Sequence, residues 1–230
     1  MIQINHLTKT YGKARGITEL TLHVPENVCF GFIGPNGAGK STTIRTLLGL
    51  LSPTAGAARV LGLDCVRDRE KILDQVGYMP SEAMFYPDMR VSEVIRLSAS
   101  LRRRDCRAET AALCEALELD TRKRIRELSL GNRKKVSIVC AMQHRPRLYI
   151  LDEPTSGLDP LVQQAFWAEL ENRRKEGAAV FLSSHVLYEV QRYCDRAAIL
   201  REGRLVVEGT TAELDIENKF FDYYEGRLGQ

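Results

Sequence analysis

VCFGFIGPNGAGKSTTIRTLLGL, residues 28–50, decides the fold. A short apolar run, VCFGFI (28–33), leads into a glycine-rich turn, GPNGAGKST (34–42), and then into TIRTLLGL (43–50), which reads as a helix. Gly34 to Ser41 fits the G-x-x-x-x-G-K-[ST] frame in its proper setting, with a strand before and a helix after. Gly34, Gly37 and Gly39 let the backbone turn successive N–H groups into one concavity. The helix behind them offers its positive end to an anion. Lys40 can bridge outer phosphates, and the Ser41 hydroxyl can fill one coordination site of a magnesium ion. A dinucleotide fold is disfavoured, because no G-x-G-x-x-G frame is present.

A second apolar run, Leu148 to Leu151, ends in two adjacent acids, Asp152 and Glu153. Such carboxylates repel each other and resist desolvation, so something positive has to face them. Opposite the cradle, Asp152 can reach the magnesium directly or through water. Glu153 then sits beside the terminal phosphate, where it can orient and deprotonate a water; a base of this type contributes about 10²–10⁴-fold in rate. Lys40 and the metal offset the cost of holding the two acids together.

The bulk numbers agree with a globular nucleotide-binding chain. The 230 residues are 44% hydrophobic and 27% charged, which suggests one domain with an insertion, or two lobes. A net charge of +3 is too small to imply nucleic acid by itself. No apolar stretch approaches the roughly 20 residues of a membrane-spanning helix. The opening MIQINHLTKTYGK lacks a signal-peptide core, so the expected location is cytosolic. The six cysteines (29, 65, 106, 114, 140 and 194) contain no C-x-x-C pair and read as reduced, mostly buried thiols.

Polarity alternates over 2–7 and 20–24, predicting antiparallel strands, and AARVLGL, VGYMP, LYILD and AAVFLSS add further strands. From about 82 to 146 the chain turns helical and Arg-rich, with Val91, Val94, Ile95 and Leu97, then Ala112, Leu113, Ala116, Leu117 and Leu119, at helical spacing. AAIL–REG–RLVV predicts a late hairpin, and the last twenty residues a short helical tail. The predicted architecture is α/β: a P-loop NTPase core with a mixed sheet and an N-terminal antiparallel part, carrying an inserted α-helical lobe. One domain spans 1–230, with core segments 1–81 and 147–213, the lobe at 82–146 and a tail at 214–230.

Four further stretches then resemble the ATP-binding subunit of ABC transporters, over about residues 2–213. LSLGN (128–132) lies at the signature position about 20 residues before Asp152, and SGLD (156–159) at the D-loop. His185 matches the switch histidine, and Tyr11 the aromatic that stacks on adenine. The resemblance implies ATP and Mg²⁺ as ligands, bound by Tyr11 and by Gly34, Pro35, Asn36, Gly37, Ala38, Gly39, Lys40, Ser41 and Thr42, with Ser41 and Asp152 on the metal. It implies catalytic roles for Glu153, His185 and Lys40. It also implies a head-to-tail dimer in which Ser129, Leu130, Gly131 and Asn132 of one copy close over the phosphates of the other, with Asp159 at the seam. Arg133, Lys134 and Lys135 fall in the first turns of a helix predicted over 131–144, either facing a bound phosphate or forming a solvated basic face. His6, His23 and His144 read as structural.

Two departures stand out. Ser81, followed by Glu82, occupies the place of the family's metal-touching glutamine, and Leu130 and Asn132 replace a glycine and a glutamine of the signature. Slow basal turnover is the implied consequence. In style, from RGITELTLHVPENVCFGFIGPNGAGKSTTIR to a tail ending FFDYYEG, the chain looks most like ABC-2 exporter and resistance subunits. Importer subunits, which often carry a longer C-terminal regulatory domain, are the next choice. The implied partners are an integral membrane permease, docked on the helical lobe at the inner face of the cell membrane, and a second copy or a homologous subunit. Nucleic acid is not expected. The alternatives are a soluble ABC-type ATPase acting on nucleic acid or ribosomes, given some support by TRKRIR (121–126), and a weakly hydrolysing nucleotide switch.

Overall fold

The computed structural model describes residues 1–12 and 14–227. The chain runs through β1 (Ile2–Tyr11), β2 (Ala14–Val24), β3 (Cys29–Ile33), α1 (Lys40–Leu47), β4 (Ala55–Val60), β5 (Leu63–Asp64), α2 (Arg69–Gln75) and β6 (Val76–Met79). Next come α3 (Val91–Leu101), α4 (Arg107–Ala116) and α5 (Leu130–Met142). It returns through β7 (Leu148–Asp152), α6 (Pro160–Lys175), β8 (Ala179–Ser184), α7 (Leu187–Tyr193), β9 (Arg196–Arg201) and β10 (Arg204–Thr210), and ends in α8 (Thr211–Leu214) and α9 (Ile216–Glu225).

Two sheets result. One is antiparallel, in the order β2-β1-β4-β5. The other runs β10-β9-β3-β8-β7-β6 and is parallel except for the β9–β10 hairpin. β3, β7 and β8 are buried throughout, which explains why they read as unbroken apolar runs. Their alternate residues feed two cores. Tyr149, Leu151, Val180 and Leu182 face the helices α3 to α7, whereas Phe30, Phe32, Ile150 and Phe181 face α1 and the antiparallel sheet.

Parallel strands bring their C-terminal ends to one edge. Asp152 pairs in register with Ser183, and Met79 with Leu151. The cradle after β3, Ser81 after β6, the acids at the end of β7 and His185 after β8 therefore share that edge, where open α/β sheets bind ligands.

Several local expectations change. The first two strands are longer than the alternation suggested, because bulges carry the pairing past His6 and Glu19, both at positive φ. The late hairpin turns at Glu202 and Gly203, φ 52° and 80°, the geometry of a two-residue turn. Leu97 is exposed, as are Ala112 and Ala116; the apolar face of α4 is carried by Leu113, with Leu117 and Leu119 following it into the core. Helices α2, α6 and α7 are additional to the predicted set.

Candidate nucleotide site

α1 begins at Lys40, with Gly39 as its N-cap at φ 105° and Gly37 at φ 82°. Both conformations are left-handed, where a β-carbon is strained, so these glycines are required by the backbone itself. No acidic side chain occupies the first turn of α1, leaving its positive end for an anion. A cavity of about 290 Å³ opens there. It is lined by Pro35, Asn36, Gly37, Gly39, Lys40, Ser41 and Thr42, and across from them by Gly16, Ser81 and Glu153.

Lys40 is nearly enclosed. Its ammonium donates to the carbonyl oxygens of Gly34 (2.6 Å) and Pro35 (3.3 Å) and stands 3.2 Å from Glu153 Oε1. The other carboxylate oxygen, Glu153 Oε2, lies 2.7 Å from His185 Nδ1. One acid is thus held between the cradle lysine and the histidine after β8.

The backbone of Glu153 is equally constrained. Its φ of 51° is left-handed, a conformation costing a non-glycine residue roughly 1–2 kcal/mol. The Glu153 amide donates to Ser183 O (3.2 Å) and Ser183 Oγ (3.1 Å). The Ser183 hydroxyl in turn donates to Asp152 Oδ1 at 2.5 Å. On the other side Lys134 donates to the carbonyl oxygens of Glu153 (2.8 Å) and Ser81 (2.9 Å). Lys134 is 5% exposed. Burial pushes its pKa down, and Asp152, Glu153 and Glu82 oppose that loss. Two lysines therefore bracket the acid pair.

Asp152 is fully buried, and its Oδ2 has no hydrogen-bond partner. A buried, unpartnered carboxylate oxygen is costly unless something binds it. With Ser41 on the helix that packs against β7, the donor set fits a magnesium ion, a hard cation that takes few protein oxygens. Among the described residues no cluster of three or more His, Cys, Asp or Glu forms a further metal cage.

Comparison with known proteins decides the family. A family model described as "ABC transporter" matches residues 17–156. The chain is 36% identical over 219 residues to the ABC transporter ATP-binding protein YhaQ of Bacillus subtilis (strain 168), covering 93% of this chain and 72% of that one. The chain belongs to the ABC transporter family.

This ABC-type ATPase is also 34% identical over 212 residues to the bacitracin transport ATP-binding protein BcrA of Bacillus licheniformis, covering 90% of this chain and 69% of the relative. A solved "ATP binding subunit of ABC transporter" superposes with a TM-score of 0.89 at 31% identity, over the whole of both chains.

The LSLGN stretch, which the resemblance reads as the signature, caps a helix. Ser129 is the N-cap of α5, its oxygen accepting from Asn132 N (3.3 Å) and Asn132 Nδ2 (3.1 Å), which leaves the hydroxyl proton free to donate. A β-carbon at Gly131 would stand 3.0 Å from Gly157 O, so the start of α5 and the SGLD loop (156–159) touch within one chain. Leu130 is accommodated because it is 63% exposed and packs beside Gly157. Asp159 caps α6, accepting from Val162 N at 3.1 Å. Gln163 and Thr155 brace the loop, Thr155 by donating to the buried Glu189 at 2.7 Å.

Other expectations of the ABC resemblance land differently. Gly34 and Ala38 belong to the cradle but do not line its cavity: Gly34 receives Lys40, and Ala38 is buried. Tyr11 ends β1, 43% exposed, under the Lys9 ammonium at 5.3 Å and outside the cavity lining. Glu82 is exposed and absent from the lining, whereas Ser81 is part of it. The solvated basic face fails for Lys134 and Lys135, which are buried.

Sequence reading missed Gly16 and Ser183, and it set Lys134 against a bound phosphate or solvent, whereas its ammonium meets two backbone carbonyls. Gly16 packs its backbone against Gly203 and Gly39 and has no room for a side chain beside the Lys9 carbonyl. The repeated serines of AVFLSS offered no way to tell which one faces Asp152 until the β7–β8 register was known.

Proposed function

We propose that this ABC ATPase binds MgATP in the cradle and hydrolyses it with Glu153 as general base, closing head to tail on a second copy and driving a separate membrane permease. The observation that carries the reading is the Glu153 carboxylate, held between Lys40 and His185 at the mouth of the cradle. Amides of residues 37–41 and the α1 dipole hold the phosphates, and Lys40 leaves Glu153 for an outer phosphate. Released from Lys40 but still beside His185, the carboxylate accepts a proton from the attacking water. Ser41 and Asp152 hold the magnesium, which when bound supplies charge neutralisation at the phosphates. Tyr11 stacks on the adenine, and His185 contacts the terminal phosphate. Ser129 and Gly131 of the second copy, at a helix N-terminus, complete the site, with Asp159 at the seam.

Export is supported by a relative 34% identical over 218 residues, the Nod factor export ATP-binding protein I of Paraburkholderia xenovorans (strain LB400). No helix among the described residues is long and apolar enough to cross a membrane. The reading assigns the pathway to the integral permease, with this ATPase docked on it at the inner face of the cell membrane. A groove of about 510 Å³, lined by Ile95, Ala99, Ala111 and Cys114 between α3 and α4, lies away from the cradle and suits an apolar segment of that permease. The basic stretches give little to nucleic acid: Arg107 pairs with Asp105, Arg122 with Asp120 and Arg126 with Asp88.

Glu153→Gln tests the reading. The variant should keep ATP affinity, lose about 10²–10⁴-fold in hydrolysis and accumulate an ATP-dependent dimer in size-exclusion chromatography. Hydrolysis at the parent rate would remove Glu153 as the base.

A further inference from the structure

Lys134 lies on the fifth residue of α5, the helix whose N-cap is the signature Ser129. Lys134 does not itself line the cavity, and its ammonium bonds no carboxylate; its hydrogen bonds go to the backbone carbonyls of two lining residues, Ser81 and Glu153. Those residues follow adjacent parallel strands, β6 and β7, and sit 72 positions apart. A charged amine buried to 5% exposure is costly, and a neutral side chain would fill the space without that cost. What the amine uniquely supplies is a cationic donor with more than one N–H, able to hold two carbonyls at once.

We propose that Lys134 is a positioning residue for hydrolysis: it clamps the Glu153 and Ser81 carbonyls to the signature helix, and so fixes the left-handed backbone that aims the Glu153 carboxylate. The inference rests on the reading of Glu153 as the base. Ser183 restrains the amide side of that residue; on its carbonyl side Lys134 donates at 2.8 Å, the shorter bond beside the Ser156 amide at 3.4 Å. The clamp also supplies a tether at Ser81, whose side chain is too short to reach as the family's glutamine does. Because Ser129 and Lys134 ride on one helix, a phosphate engaging the signature tip in the second copy acts on the same body that holds the base of its own copy.

The test uses the purified full chain with MgATP, comparing Lys134→Met, which keeps bulk without donors, with Lys134→Arg, which keeps a cation with several N–H groups. Single-turnover hydrolysis and equilibrium ATP binding are read side by side. Lys134→Met should lower the hydrolysis rate by about 30-fold or more while changing ATP affinity by less than about 3-fold, and Lys134→Arg should recover most of the rate. Unchanged hydrolysis in Lys134→Met overturns the proposal. So does a loss that appears equally in binding, or a melting temperature lowered by more than about 10 °C in both variants, since either assigns Lys134 to the scaffold. If Lys134→Met does not fold, Lys134→Leu, likewise without donors, replaces it under the same thresholds. Glu153→Gln run in parallel separates the two ideas: parent-rate hydrolysis there removes the base itself, whereas an inactive Glu153→Gln beside a fully active Lys134→Met removes only the clamp.

Discussion

Lys40 and Glu153 stand 3.2 Å apart at the mouth of the cradle, with side chains only 6% and 15% exposed. Each neutralises the other where water cannot. A phosphate entering the cradle competes with Glu153 for the ammonium, so ligand binding and release of the base are one exchange.

Lys40→Ala should therefore act twice. MgATP affinity falls by at least about tenfold through loss of the phosphate contact, and the fold loses about 1–3 kcal/mol because Glu153 loses its cation. Adding Glu153→Gln should return part of that stability but none of the affinity. Calorimetric titration and urea unfolding read the two effects separately; parent-like affinity in Lys40→Ala would reject its phosphate role.

Ser183→Ala removes a buried hydroxyl that donates to Asp152 and accepts from the Glu153 amide. Both partners stay buried, so a loss of about 1–3 kcal/mol is expected in chemical denaturation. A higher Mg²⁺ concentration for half-maximal hydrolysis should accompany it, because Asp152 loses its orientation.

Ser81→Gln extends a side chain into the cavity that Ser81 lines, while its backbone stays held by Lys134. Mg²⁺ should be needed at equal or lower concentration, and stimulation by the cognate permease should be equal or greater. Complete loss of stimulation would mean that the serine itself is required.

His144 supplies a pH test outside the site. Burial, helped by the Arg102 guanidinium, pushes its pKa down from 6.5 to about 4. Between those values the unfolded chain binds the proton and the folded chain does not. Its contribution is therefore complete above pH 6.5 and is lost as pH falls toward 4, on the order of 3 kcal/mol in all. Urea unfolding from pH 7 to pH 4.5 should show a shallower stability loss for His144→Leu than for the parent; parallel curves would contradict the buried, neutral ring.

The sequence by itself determined whatever is local. Gly34 to Ser41 is contiguous, its glycines answer to the backbone of a single turn, and the helix behind it follows at once, so cradle, strand and helix are legible without a neighbour. The acids that end β7 were legible for a similar reason, since a doubly buried strand is an unbroken apolar run and its end is where polarity returns. Only the tertiary structure decided what holds those acids in place from behind. Lys134 is 19 residues from Glu153 and 53 from Ser81, and Ser183 is 31 from Asp152. Whether a lysine in a helical segment meets water or carbonyls depends on which way the packed helix turns it, and hydrophobic periodicity does not encode that when the buried residue is itself charged. The same packing exposes Leu97 and Ala112 while burying Lys134 and Lys135, against the polarity of each.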